Sequence, residues 1–290
     1  MPPNSRGHTA ESLPVLSVLI PASNEEALIG QCLEKVLQSA WPHAVPFETI
    51  VISNGSRDRT AETALEMRPR FAEKGLVLQV LDRKEGGKLG ALNAGDHVAR
   101  APIRIYLDAD VEVSEGLISQ IYTALDTPQA RYASGTLILA TPKTWATRAY
   151  ARIYAQVPFM KHGAPGAGVF AVNAAGRMRW GTFPNIISDD TFVRLSFLPE
   201  ERIAVPATYT WLLVEGWSNL VRVRRRQNAG VDEIREYYPE LLRNDDKPDF
   251  PIREKMKLAL HDPLGFAVYS GVALVVRLTG GNSNGWTRGR

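Results

Sequence analysis

Apolar residues in this chain fall into short unbroken runs and longer stretches at helical spacing, and the two kinds alternate. Residues 15–20, apolar but for Ser17, form a continuous run closed by Pro21, which predicts a buried strand with a stop. Behind it Leu28, Cys32, Leu33, Val36 and Leu37 recur every three or four residues, and Ser23 stands three before Glu26, the spacing of a capping box. Residues 50–52 predict the second strand, Asn54-Gly55-Ser56 a turn, and residues 59–67 a helix. A third strand over 76–81, a helix over 88–98 and a fourth strand over 103–107 continue the alternation. Strands separated by helices imply right-handed crossovers and a mostly parallel sheet, which excludes sandwich and all-helical folds.

After residue 130 the rhythm changes. Residues 132–139 predict a strand, 145–157 an aromatic-rich amphipathic helix, and the glycine-rich 163–168 a loop leading into a short strand over 169–172. Ser188-Asp189-Asp190 then opens a helix containing Phe192, Leu195 and Phe197. Residues 264–276 are strongly apolar but fall short of the roughly 20 needed to cross a bilayer, so they suit a buried helix or one lying in a membrane interface.

Composition changes this picture little. Of 290 residues 44% are hydrophobic and 22% charged, as in an ordinary globular protein, and 34 Lys and Arg against 31 Asp and Glu leave only +3. The distribution says more: Arg222, Arg224, Arg225 and Arg226 cluster, and Arg277, Arg288 and Arg290 close the chain with no acid among them, patches suited to phosphate or anionic lipid. No nucleic-acid module accompanies them, so nucleic acid is not an expected partner. The single cysteine, Cys32, rules out an internal disulfide and reads as a small core residue. Residues 1–13 lack the apolar stretch of a signal peptide and read as a disordered lead-in.

The candidate chemistry sits where strands end. Asp108-Ala109-Asp110 follows the fourth strand directly, so two carboxylates reach the carboxyl edge of the sheet, where open α/β proteins bind ligands. Such hard oxygen ligands suit Mg²⁺ or Mn²⁺ shared with substrate phosphates. Residues 21–25 and 53–56 also follow strands and converge on that edge, offering Asn and Ser groups to a base and ribose. Lys88 follows a glycine pair that lets backbone and ligand approach closely. Asp189 and Asp190 open a helix beside the glycine loop; a helix cap would need only one acid, and the pair fits a general base at the rim of a site.

VSVLIPASNEE, IVISNGSRDRTAE, EGGKLGALNAG, YLDADV, and GAGVFAV followed by SDDTFVRL come in the order and approximate spacing of the family 2 glycosyltransferases with the GT-A fold, which residues 16–198 resemble. The resemblance implies an α/β GT-A domain, Rossmann-like with a mostly parallel sheet flanked by helices, and a C-terminal helical extension. Residues 14–130 would be its nucleotide-sugar half, 131–215 its acceptor half and 216–290 a membrane-proximal extension. It implies an inverting, metal-dependent hexosyltransferase-type enzyme moving a sugar from a UDP- or GDP-sugar to the hydroxyl of a glycan or lipid-linked acceptor. Pro21, Ser23, Glu25, Asn54 and Ser56 would hold base and ribose, with Lys88 and Asp108 near the nucleotide. Asp110, with Asp108, would hold Mn²⁺ or Mg²⁺. Asp190 would be the base, with Asp189 beside it, and Arg222, Arg225 and Arg226 would meet phosphate or acceptor. Such an enzyme would be cytoplasmic, peripheral on the inner face of the cell membrane.

Three departures accompany the resemblance. Ser53-Asn54-Gly55-Ser56 stands where the family has Asp-Asp-Gly-Ser, Asp189-Asp190 where it has Glu-Asp, and no Gln-x-x-Arg-Trp of processive synthases is present. A single addition is therefore expected rather than polymer extrusion. The rivals are a non-catalytic sugar-nucleotide or membrane-binding module and a sugar nucleotidyltransferase. The latter should carry a Gly- and Arg-rich phosphate loop after the first strand, where this chain has PASNEE.

Overall fold

The computed structural model describes residues 13–42 and 45–279. The lead-in up to residue 12 and the terminal Arg288 and Arg290 lie outside them. The first half runs β1 (Leu16–Ala22), α1 (Glu26–Leu37), β2 (Glu48–Asn54), α2 (Thr60–Glu66), α3 (Arg68–Glu73), β3 (Val77–Arg83), α4 (Lys88–Val98) and β4 (Ile103–Leu107). The second half adds β5 (Val111–Val113), α5 (Leu117–Leu125), β6 (Tyr132–Leu139), α6 (Trp145–Tyr154), α7 (Pro158–Lys161), β7 (Val169–Val172), α8 (Ala174–Arg177), α9 (Asp189–Leu195) and β8 (Arg202–Trp211). Three helices follow: α10 (Trp217–Tyr237), α11 (Ile252–His261) and α12 (Pro263–Leu278).

One eight-stranded sheet has the order β3-β2-β1-β4-β7-β6-β8-β5. The first four strands are parallel, as the alternation predicts, and β6 pairs β8 in parallel. β7 meets both β4 and β6 antiparallel, and β5 meets β8 antiparallel. The parallel half therefore ends at β4, the strand that carries the acidic motif.

Both faces of this sheet are covered, which explains the unbroken apolar runs. Alternate residues point opposite ways: Val18, Ile20, Ile105 and Leu107 pack with Ile29, Leu33 and Ile121 on one side. Leu19, Ile50, Ile52 and Tyr106 pack with Leu92, Phe192 and Ile234 on the other. A third cluster joins α6, α10 and α12 through Tyr150, Tyr154, Leu220, Val268 and Val272.

Several local expectations change. Pro21 does not stop β1 but lies inside it, opposite Ile52. Pairing with β4 ends at Leu19, so Pro21 occupies an edge-like position where a missing N–H is tolerated. The Ser23–Glu26 capping box does not form: Glu25 is the N-cap of α1 and offers no side-chain cap. The expected helix over 59–67 is shorter, and a second helix, α3, follows with Pro69 in its first turn. β8, the longest strand, and the helix α11 have no counterpart in the sequence reading. In α12, Gly265, Val268, Val272 and Val276 face inward, while Leu264 and Leu274 are exposed. The apolar stretch is thus core on one side only, and among the described residues no helix is long and apolar enough to cross a membrane.

Candidate active site

Three strand-ending loops meet at the carboxyl edge of the parallel strands, and they are stitched to one another. After β1, Asn24 takes a positive φ of 47°, which an asparagine tolerates better than most residues. Its amide donates to Ser56 Oγ at 3.2 Å and its Oδ1 accepts from the Arg57 amide at 2.6 Å. Glu25 and Glu26 amides donate to Thr60 Oγ1 (2.8 Å) and Asp58 Oδ2 (3.2 Å), so the α1 N-terminus is capped from the β2–α2 loop. Pro21, Ser23, Glu25 and Ser56 are therefore brought together, with Ser56 engaged in loop-to-loop bonding. Asn54, the last residue of β2, is buried; its Nδ2 donates to the Ala22 carbonyl at 3.0 Å and its Oδ1 is a buried acceptor with no protein donor.

The acidic motif is a turn. The Val111 amide donates to the Asp108 carbonyl at 3.1 Å, and the Asp108 amide donates to the Gly168 carbonyl at 2.8 Å. Gly168 has φ +81°, and a Cβ there would lie 2.8 Å from Val111 Cγ2, so the glycine loop can lie against the acid turn only because this position lacks a side chain. Cys32 sits beneath, its Sγ 4.0 Å from the Asp108 carbonyl. Burial, together with the charges of Asp110, Asp108 and Glu112, pushes that thiol up, so it stays neutral.

Lys88 ties the turn to the late acids. Gly87, at φ +111°, starts α4 and puts Lys88 at its first position. The ammonium lies 2.8 Å from Asp108 Oδ1 and 3.1 Å from Asp189 Oδ2, the second an ion contact whose angle is off a hydrogen bond. Asp189 is buried, and that burial, with Asp190 and Asp108 adding like charge, lifts its carboxyl to about 6 despite Lys88. Asp190 is likewise raised by burial, with Lys88 and the Thr191 amide opposing; that amide donates to Asp190 Oδ1 at 2.7 Å. Burial alone would lower Lys88, but the charges of Asp108 and Asp189 outweigh it and hold the ammonium charged. Five of the expected site residues, Lys88, Asp108, Asp110, Asp189 and Asp190, thus come from three distant stretches of chain to one place.

Among the described residues no group of three or more His, Cys, Asp or Glu is arranged to hold a metal by itself. Mg²⁺ and Mn²⁺ sites of the phosphate-sharing kind need only one or two carboxylates, so the Asp108–Asp110 turn has the donor chemistry for such an ion.

On α10, Arg222, Arg225 and Arg226 stand three and four residues apart and share one side, while Arg224 points away from them. Arg222 is exposed and donates to Asn219 Oδ1 at 2.8 Å; Arg225 donates to Thr279 Oγ1 at 2.6 Å. Arg224 lies 5.7 Å from the Tyr269 ring centroid and packs with Tyr150. Arg226 is half-buried on the same helix.

Some residues at the site were not singled out from sequence. Arg83, the last residue of β3, reaches the same carboxyl edge, and its Nη1 is buried without a partner. Trp211 pairs directly with Val111, the residue after Asp110. Tyr209 lies near enough to the acids that burial first, and then the charges of Asp190 and Asp108, raise its hydroxyl. Extending the third apolar run by two residues would have exposed Arg83; Tyr209 and Trp211 belong to the unrecognised β8.

Comparison with known proteins places this arrangement. Residues 17–180 match the model of glycosyl transferase family 2. A Nostoc beta-monoglucosyldiacylglycerol synthase is 30% identical over 110 residues, 38% of this chain and 23% of the synthase. A Drosophila melanogaster dolichyl-phosphate beta-glucosyltransferase is 38% identical over 101 residues, 33% of this chain and 30% of that protein. The chain therefore spans well under half the length of these relatives. Among solved structures, the mannosyltransferase PcManGT of Pyrobaculum calidifontis, in complex with GDP-Man and Mn²⁺, superposes with a TM-score of 0.55 at 20% identity, over 93% of this chain and 77% of that one. A Staphylococcus aureus TarS fragment with UDP-GlcNAc gives a TM-score of 0.55 at 14% identity, over 91% of each chain. These likenesses establish a GT-A fold with a C-terminal helical region. With the family model matching more than half its length, this chain belongs to glycosyl transferase family 2.

Proposed function

We propose that the protein is an inverting glycosyltransferase that moves a sugar from a UDP- or GDP-sugar to an acceptor hydroxyl, one sugar per acceptor, in glycan, exopolysaccharide or glycolipid synthesis. The observation that carries this reading is the cluster of Asp108, Asp189 and Asp190 around Lys88, with Asp110 in the same turn, on the carboxyl edge of the sheet. Nucleotide-sugar complexes of two structural neighbours, one also holding Mn²⁺, support the donor class and the ion.

Asp110 and Asp108 would hold Mn²⁺ or Mg²⁺, and the bound ion would neutralise charge on the departing nucleoside diphosphate. Lys88 and Arg83 add fixed positive charge on the same edge, preorganised for that diphosphate. Asn54 Oδ1, a buried acceptor with no protein donor, suits the N–H edge of a base. Asp190, with Oδ1 steadied by the Thr191 amide, accepts the acceptor's hydroxyl proton on Oδ2 as that oxygen bonds to the anomeric carbon and the bond to the diphosphate breaks. One displacement from the opposite face inverts the centre. Asp189 holds Lys88 in place rather than taking the proton. Relatives whose names carry diacylglycerol and dolichyl-phosphate support a lipid-linked acceptor, met peripherally at the cytoplasmic membrane face.

The test is metal-dependent release of nucleoside diphosphate from a panel of UDP- and GDP-sugars. Asp190→Asn should keep donor affinity and lower turnover by at least about a hundredfold. Unchanged turnover in that variant would reassign the base. A chain that binds donors but hydrolyses or transfers none would be a binding module, and one that forms a nucleotide-sugar from a nucleoside triphosphate would be a nucleotidyltransferase.

A further inference from the structure

None of the ten residues of α11 is buried, although the helix carries large apolar side chains. Ile252, Met256 and Leu260 are 72%, 58% and 83% exposed, and their spacing of four puts them on one side. At about 100° per residue, Arg253 and Lys257 flank this stripe on one side and Lys255 on the other. The helix has one acid, Glu254, which lies on the opposite side and is paired with Lys257 at 2.8 Å. Leu264, half exposed, begins α12 just beyond. An apolar stripe at this spacing ordinarily faces a core; here it faces out, between basic edges.

The helix is also held in a fixed direction. Asp262 caps α12, its Oδ1 accepting from the Gly265 amide at 2.9 Å, and accepts from Arg152 Nε of α6 at 2.6 Å. Pro263 stiffens the corner, and Val268, Val272 and Val276 anchor α12 inward. The direction of the stripe is thus set by the Arg152–Asp262 pair and by the packing of α12.

We propose that α11, continued by Leu264, is an in-plane contact with an anionic bilayer surface. Its apolar stripe enters the headgroup boundary, and Arg253, Lys255 and Lys257 keep their stems along it while their charges meet lipid phosphates. A bilayer fits better than a second copy of the chain because both flanks of the stripe are basic: two copies would set like charges against each other. This deepens the reading of a membrane-borne acceptor but stands on residues remote from the chemistry.

The experiment is co-sedimentation of the full chain with phosphatidylcholine vesicles, with and without phosphatidylglycerol, scored beside donor hydrolysis. Wild type should bind the phosphatidylglycerol vesicles, and added salt should weaken binding about tenfold. The triple variant Ile252→Glu, Met256→Glu, Leu260→Glu should lose about a hundredfold in vesicle affinity while keeping its melting temperature and donor hydrolysis. Arg253→Ser with Lys257→Ser should lose the preference for anionic lipid. A wild type that ignores both vesicles, or a triple variant that binds like wild type, overturns the proposal. So does a wild-type dimer by light scattering that the triple variant breaks, since a second copy then covers the stripe. Vesicle binding without donor hydrolysis would sink the catalytic reading and leave this one standing.

Discussion

Replacing Lys88 with methionine removes a cation from among three carboxylates and keeps most of the side chain's bulk. The ammonium lies 2.8 Å from Asp108 and 3.1 Å from Asp189. At an effective dielectric near 20, each contact amounts to about 5 kcal/mol before desolvation. Breaking a buried ion pair by removing one partner costs about 3–5 kcal/mol net. The Lys88 and Asp108 side chains are 26% and 33% exposed, so the lower end applies, about 3 kcal/mol. For a chain of this size that is a melting-temperature loss of roughly 5 °C. The sign of the pH dependence follows from Asp189. Its folded carboxyl titrates at about 6, above the ordinary 3.8, so the stability that its protonated form contributes is complete below 3.8 and lost as pH rises through about 6. Without Lys88 both Asp189 and Asp190 rise further, and the loss extends to higher pH. The gap between wild type and variant should shrink to a few degrees near pH 5 and be widest near pH 8, read by thermal melts across that range. In activity, the acid limb of kcat/KM, set by Asp190, should move to higher pH in the variant, because burial already raises that carboxyl and Lys88 opposes the rise. Equal melting gaps at both pH values, or a limb that stays in place, would refute the argument.

Three further outcomes are expected. Asp110→Ala should abolish Mn²⁺-dependent donor binding, measured calorimetrically, with the melting temperature of the ligand-free chain held; full activity, or metal bound at other residues, would reject the assignment. Gly168→Ala places a Cβ 2.8 Å from Val111 Cγ2 at φ +81° and should cost about 1–3 kcal/mol in urea unfolding while weakening donor binding; a variant normal in both would mean that the loop does not buttress the acid turn. Val272→Ala, at a fully buried position of α12, should lose about 2 kcal/mol, whereas Leu274→Ala, 55% exposed, should stay within about 0.5 kcal/mol; the reverse order would mean that α12 packs through its other face.

Local pattern is enough to specify the parallel half of this protein. Mostly apolar runs alternating with helical spacing require strands buried on both faces and helices to cover them, so β1 to β4, α1 and α4 are legible without coordinates, while α3 is not. The same alternation sends the strand-ending loops to one edge, which is why residues 21–25, 53–56 and 108–110 could be placed together in advance. The remainder depends on long-range pairing. That β7 enters antiparallel beside β4 and brings the Gly168 carbonyl to the Asp108 amide is set by contacts 60 residues apart, which local pattern does not encode. The α1 cap illustrates the same limit: Ser23 and Glu26 have the right spacing, yet the amides go to Ser56, Thr60 and Asp58 because the neighbouring loop packs within reach. In the last three helices the apolar pattern could say that α12 is amphipathic but not which side α6 and α10 would cover. Only that packing separates Val272, inside, from the bare stripe of α11, because burial depends on what a helix is packed against as well as on its own periodicity.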